Sequence, residues 1–236
     1  MLDSQQRQVL AVEASSTKNL LRDGVSTVRA MQYETISGDS VFALAAHGVE
    51  KLLKLTIGIQ NVHRQGAWPT ANEMKNRGHG LRSMDDEVRT ALTNAADRPY
   101  LVDLLSAQAR DRLWPLVLAA LDRYASAGRF HGLDCLAGRD LDEGLNPHAM
   151  WQGLEVQAQR LVPSLVDGTA YASNDRMDRA VAELRDHVAT SIERWWATVA
   201  QFLIIGVYGS LGGLVGHDCA PDGWHAIVRG YESWPS

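Results

Sequence analysis

Apolar residues recur at three- and four-residue spacings along almost the whole chain, the pattern of helices that bury one face. Between Ser40 and His63, Val41, Leu44, Val49, Leu52, Leu55, Ile59 and Val62 fall on one such face. Gly38-Asp39-Ser40 before them offers N-cap chemistry, and Gly66 and Pro69 after them stop a helix. A further helix is predicted from Ser83, with Asp86 completing a capping-box variant, to Asp97, where Arg98-Pro99 ends it. Leu101, Leu104, Leu105, Leu113, Leu116, Val117, Leu121 and Tyr124 mark one helix over Tyr100–Ala127, kinked at Pro115. Four glycines between Gly128 and Asn146 predict a loop.

Asn146-Pro147 opens a helix presenting Trp151, Leu154, Ala158, Leu161 and Leu165. A long helix from Asn174 carries Val181, Leu184, Val188, Ile192, Trp195, Val199 and Phe202 at nearly heptad spacing. Ser4–Met31 is helical with a weaker stripe, and His217–Ser236 reads as an extended tail. No alternating β-branched run predicts a strand. The expected fold class is all-α: an antiparallel helical bundle over residues 1–135, then a C-terminal helical extension and tail over 136–236. Trp195 and Trp196 diverge by about 100° on a helix, so one of them is expected to face a partner chain or another domain.

Composition narrows this picture. Hydrophobic residues make up 45% of the 236 positions, enough for a packed core. The net charge of −5 excludes a broad electrostatic grip on nucleic acid or acidic lipid, while leaving room for a local basic site. Cys135 and Cys219 match no disulfide framework and read as reduced thiols of a cytoplasmic protein. The opening MLDSQQRQVL lacks the basic and apolar regions of a signal peptide. Val199–Val215 is apolar but shorter than the roughly 20 residues of a membrane span, and is read as a buried helix end or a partner surface. P-loop, dinucleotide, G-x-S-x-G, H-E-x-x-H and C-x-x-C signatures do not occur. His217, Asp218, Cys219, Asp222 and His225 are metal-ligand types, but their spacing fits no standard zinc finger. Neither a metal nor a cofactor is expected.

One pair of motifs stands out. Ala45-Ala46-His47-Gly48-Val49-Glu50-Lys51-Leu52-Leu53-Lys54 contains E-K-x-x-K on a helix, and Gly78-His79-Gly80-Leu81 supplies G-H-x-L downstream. Together they resemble HEPN domains, the small helical bundles of prokaryotic toxin–antitoxin, abortive-infection and CRISPR-associated proteins. The resemblance covers roughly residues 20–135. It implies an antiparallel bundle, often a homodimer, that works with a partner protein of a defence or toxin–antitoxin system and binds RNA or nucleotide. It also implies metal-independent ribonuclease activity. Active members usually carry R-x(4–6)-H at a dimer cleft. Here the nearest arrangements are Arg123 and His131 with seven residues between, and Arg129 and His131 with one.

Such cleavage needs a base for the 2′-hydroxyl and a cation for the charge growing on phosphate. His131 is the candidate base or acid, and Arg123 and Arg129 are the candidate phosphate clamp. His47, Lys51, Lys54 and His79 are the candidate RNA- or nucleotide-binding residues. The alternative is a catalytically inactive helical adaptor that oligomerises, in keeping with the acidic balance and the tryptophan-rich C-terminal helix. A third reading is a sensor with a pocket between helices.

Overall fold

The computed structural model describes residues 2–31, 34–139 and 146–234, with the backbone alone at 34–37 and 233. Helix α1 (Ser4–Ala30) starts from a capping box in which Asp3 and Gln6 each accept the other's backbone N–H. It pairs antiparallel with α2 (Glu34–Gln65): Leu21 meets Gly48, Gly24 meets Ala45, and Lys51 reaches back to Glu13 and Ser16. Glycine permits this approach, because a Cβ on Gly48 would stand 2.8 Å from Leu21 Cγ. Gly38-Asp39-Ser40 does not cap α2, because the helix already runs through it. Asp39 instead turns out to His148, whose Nε2 lies 3.2 Å from its Oδ1.

Thr70 and Glu73 cap the short α3 (Ala71–Asn76), and α4 (Leu81–Ala95) begins before Ser83. Ser83 is therefore not its cap: Ser83 Oγ donates back to the Gly80 carbonyl, and Asp122 accepts the Arg82 N–H at 3.1 Å. The expected kinked helix is two helices, α5 (Pro99–Arg110) and α6 (Trp114–Ser126). Asp111 breaks the run, its Oδ1 accepting from Leu113 N at 2.9 Å and Trp114 N at 3.2 Å. Pro115 then sits in the first turn of α6, where its missing N–H costs nothing. The expected loop holds a 3-10 turn (Gly128–Phe130) and α7 (His131–Leu136), and its residues 140–145 lie outside the described residues. Asn146 and Pro147 start α8 (Pro147–Ala158) as the sequence predicts, and α9 (Pro163–Val166) follows.

Around the α1–α2 hairpin, α4 and α6 pack on α2, α8 packs on α6, and α10 (Asn174–Ile204) and α11 (Gly209–Cys219) pack on α1. The expected extended tail is also helical, with the end of α11 and α12 (Trp224–Arg229). No strand occurs among the described residues, and the fold is an all-α helical bundle. One hydrophobic cluster draws on both sides of residue 135, as where Phe42 meets Trp151 and Trp114 meets Trp195. Arg29 ties α1 to α10 through Asp186 at 2.8 Å and Glu193 at 2.7 Å. Among the described residues no helix is long and apolar enough to cross a membrane. The Val199–Val215 segment is broken by a turn with Gly206 and Gly209 both at φ 76°, and its two arms pack on each other.

Both adjacent tryptophans are buried within the chain: neither faces a partner chain, and Trp195 meets residues of the 1–135 half. Their divergence is met by elements on two sides of α10. Trp195 donates to Asp85 Oδ1 at 2.8 Å and stacks on Trp114 at 4.3 Å, while Trp196 donates to the Cys219 carbonyl at 2.6 Å. Cys219 is buried, which pushes its thiol up to about 12, whereas Cys135 is exposed.

Burial also raises the Asp85 carboxyl, against the pull of Arg89 and the Trp195 N–H. A carboxyl raised on folding contributes stability at low pH that is lost as pH rises through its folded pKa. Charged Asp85 is therefore a cost at neutral pH. Asp85→Asn keeps an acceptor for Trp195 and removes the buried charge. Its melting temperature should rise by about 2–4 °C at pH 7, roughly 1 kcal/mol, and gain little at pH 4. A lower melting temperature at pH 7 would contradict this account.

Candidate functional site

The two halves of the E-K-x-x-K and G-H-x-L pattern meet in space. Glu50 lies on the inner side of α2 and is buried to 9% exposure. The turn after α3 delivers His79 to it. Gly78 takes φ 59°, a left-handed conformation that glycine adopts without strain, and its N–H donates to the Lys75 carbonyl. Beyond the turn, the Arg82 bond to Asp122 and the Ser83 bond to Gly80 fix the start of α4.

His79 Nδ1 lies 3.0 Å from both Glu50 oxygens, and Lys54 Nζ lies 2.7 Å from Glu50 Oε1. Burial raises the Glu50 carboxyl, but the hydrogen bonds from Lys54 and His79 outweigh it and hold the group below its ordinary value. Glu50 is thus an anion at neutral pH. It favours the tautomer with the proton on His79 Nδ1, which leaves Nε2 as a proton acceptor. The His79 side chain is 55% exposed, so substrate can reach the imidazole. The start of α4 adds a helix end whose N-cap, Gly80, makes no side-chain capping bond.

The other candidate binding residues divide. Lys51 turns away to α1, with Nζ 2.6 Å from Glu13 Oε2 and 2.9 Å from Ser16 Oγ. His47, one helical turn before Glu50 and Lys51, is exposed. The second group sits where α6 ends. His131 is buried at 8% exposure, and its Nδ1 has no hydrogen-bond partner among the described residues. Arg129 lies with its guanidinium carbon 6.0 Å from the Tyr124 ring centroid, and Arg123 is partly buried. Asp122, beside Arg123, is the residue that binds the start of α4, so the segments carrying both groups of candidates touch.

No family model, curated protein or solved structure matches the chain. Among the described residues no group of three or more histidine, cysteine, aspartate or glutamate side chains is placed to hold a metal ion. Of the tail residues, Asp222 pairs with Lys18 at 2.7 Å.

Sequence reasoning missed Asp122 altogether, and it gave Glu50 no role beyond its place in the motif. The capping role of Asp122 spans 40 residues and leaves no local signal. Glu50 could have been found from its neighbours, because Val49, Leu52 and Leu53 around it are all core residues.

Proposed function

We propose that the chain binds the phosphate backbone of RNA, or a nucleotide, at the Glu50–Lys54–His79 cluster and cleaves RNA there without a metal. The observation that carries this reading is the pinned histidine: a buried carboxylate binds one ring nitrogen of a half-exposed imidazole and also holds the Lys54 ammonium group. His79 Nε2 takes the proton of a 2′-hydroxyl. That oxygen attacks the neighbouring phosphorus and expels the 5′-oxygen, which takes a proton from water. The products are a 2′,3′-cyclic phosphate and a 5′-hydroxyl end. Lys54 favours the charge on phosphate. Membership of a prokaryotic defence or toxin–antitoxin system rests on the HEPN resemblance.

The test is incubation of single-stranded RNA with purified protein in EDTA, wild type beside His79→Ala, His131→Ala and His47→Ala. Cleavage to cyclic-phosphate ends, lost in His79→Ala alone, is the expected result. Loss in His131→Ala alone would move the reaction to the Arg123–Arg129 group. A folded protein that neither cleaves nor binds RNA would end the proposal.

One observation favours the adaptor reading. Phe130, Leu133 and Leu136 follow one another at three-residue spacing and are 62%, 63% and 86% exposed. Such an apolar row suits a second copy of the chain. Under that reading sedimentation gives a dimer that Phe130→Glu/Leu133→Glu converts to a monomer. A monomeric wild type across micromolar concentrations would remove it.

A further inference from the structure

Between α4, α5, α10 and the start of α6 lies a cavity of about 300 Å³, at the lower end of the range for small-molecule sites. Leu92, Leu105 and Val199 form apolar wall, and the stacked Trp114 and Trp195 rings, 15° from parallel, form another side. Half-exposed Val102 and exposed Ser106 mark the mouth.

The polar groups along this wall are unusual. Asp111 is 7% exposed and Trp114 is 4% exposed. Asp111 Oδ2, Trp114 Nε1 and both polar atoms of the Gln108 amide are shielded from solvent and have no hydrogen-bond partner among the described residues. Buried polar atoms left unpaired cost roughly 1–3 kcal/mol each, so a fold does not gather them against one cavity without loss. Asp111 needs only its other oxygen to cap α6, which leaves Oδ2 without a hydrogen bond. Gln108 lines the cavity and is partly exposed as a residue, and because these polar atoms are shut off from solvent a ligand meets them only once the side chains turn towards it.

The wall also has a sign. Asp85, Asp111 and Arg89 are its charged lining residues and sum to −1, with Arg194 acting on Asp111 from outside the lining. An anion is therefore disfavoured. The stacked indoles select flat aromatic faces, and cations above all.

We infer that this cavity is a binding site for a small planar aromatic compound bearing N–H donors, neutral or cationic, such as an aminated heterocycle or an aryl amidine. The flat face lies along the tryptophan pair. The N–H edge donates to Asp111 Oδ2 and Gln108 Oε1. The site is separate from His79 and does not depend on the reading given to it.

The probes are 2-aminobenzimidazole, benzamidine and benzoate, each titrated into the full chain. Saturation-transfer NMR and tryptophan fluorescence report binding. The first two compounds are expected to bind saturably and quench fluorescence, and benzoate is not. Gln108→Leu should weaken 2-aminobenzimidazole about tenfold, about 1.4 kcal/mol. Val102→Trp, a surface change at the mouth, should block entry while leaving the melting temperature and helical circular dichroism intact. Absence of saturable binding by either donor probe would overturn the inference. So would equal binding of benzoate, or affinity unmoved by both substitutions.

Discussion

His79→Ala should lower metal-independent RNA cleavage by about 10²–10⁴-fold, the contribution of a positioned general base. The fold should survive the change. The side chain is 55% exposed, so its removal opens no core cavity, and Glu50 keeps Lys54 as a partner at 2.7 Å. Loss of one hydrogen bond to that carboxylate costs about 1–3 kcal/mol. Glu50→Gln is the sharper probe of mechanism. It preserves shape and an acceptor oxygen but removes the charge that orients the imidazole. Activity should fall by a smaller factor than in His79→Ala, with RNA affinity no weaker, because Lys54 loses its anionic partner and keeps its charge for the phosphate. Circular dichroism and melting curves separate these outcomes from unfolding. The pH dependence has a definite sign. Glu50 is held below its ordinary value, so its stabilising contribution is present above the unfolded pKa and is lost as pH falls through the folded one. Wild type should therefore lose stability on strong acidification by more than Glu50→Gln does. Equal acid sensitivity would mean that the Glu50–Lys54–His79 cluster is not formed in solution.

How much of this was legible from the sequence depends on the range of each determinant. The long stripes of α1, α2 and α10 could be read because periodicity is local and many residues vote together. Asn146-Pro147 was read correctly for the same reason: cap and first turn are adjacent. Gly38-Asp39-Ser40 misled because its cap chemistry lies inside α2, where Asp39 answers to His148, 109 residues away. Pro115 was read as a kink, since nothing local reveals that Asp111 would leave the helix and cap a new one. Trp195 and Trp196 suggested an interface because each needs a different neighbour. Those neighbours, Asp85 and Cys219, lie 110 and 23 residues away in the same chain. The candidate site divides similarly. Glu50, Lys54 and His79 were visible as a motif, whereas the contact that unites them spans 29 residues and belongs to the tertiary fold.

The glycine-rich segment after α10 tests the packing most directly, because two nearby glycines should respond in opposite directions. On Gly216 a Cβ would stand 2.6 Å from the backbone nitrogen of Ile204 and 2.8 Å from Leu203 Cβ. Backbone cannot yield as a flexible side chain does, so Gly216→Ala must push α11 off α10. Overpacking of this kind costs about 1–3 kcal/mol, which for a chain of this size lowers the melting temperature by roughly 2–12 °C. The displacement should also disturb Trp196, whose N–H donates to Cys219 three residues further on, and shift its fluorescence to the red. Gly213 is different: its nearest neighbour is the Ile204 carbonyl oxygen at 3.6 Å, an ordinary contact. Gly213→Ala removes helical glycine's entropic penalty and should stabilise by about 0.5–1 kcal/mol. Thermal and urea unfolding of the two variants decide the matter. If Gly216→Ala were as stable as wild type, α11 would not be seated on α10 as described, and the apolar stretch 199–215 would need another partner.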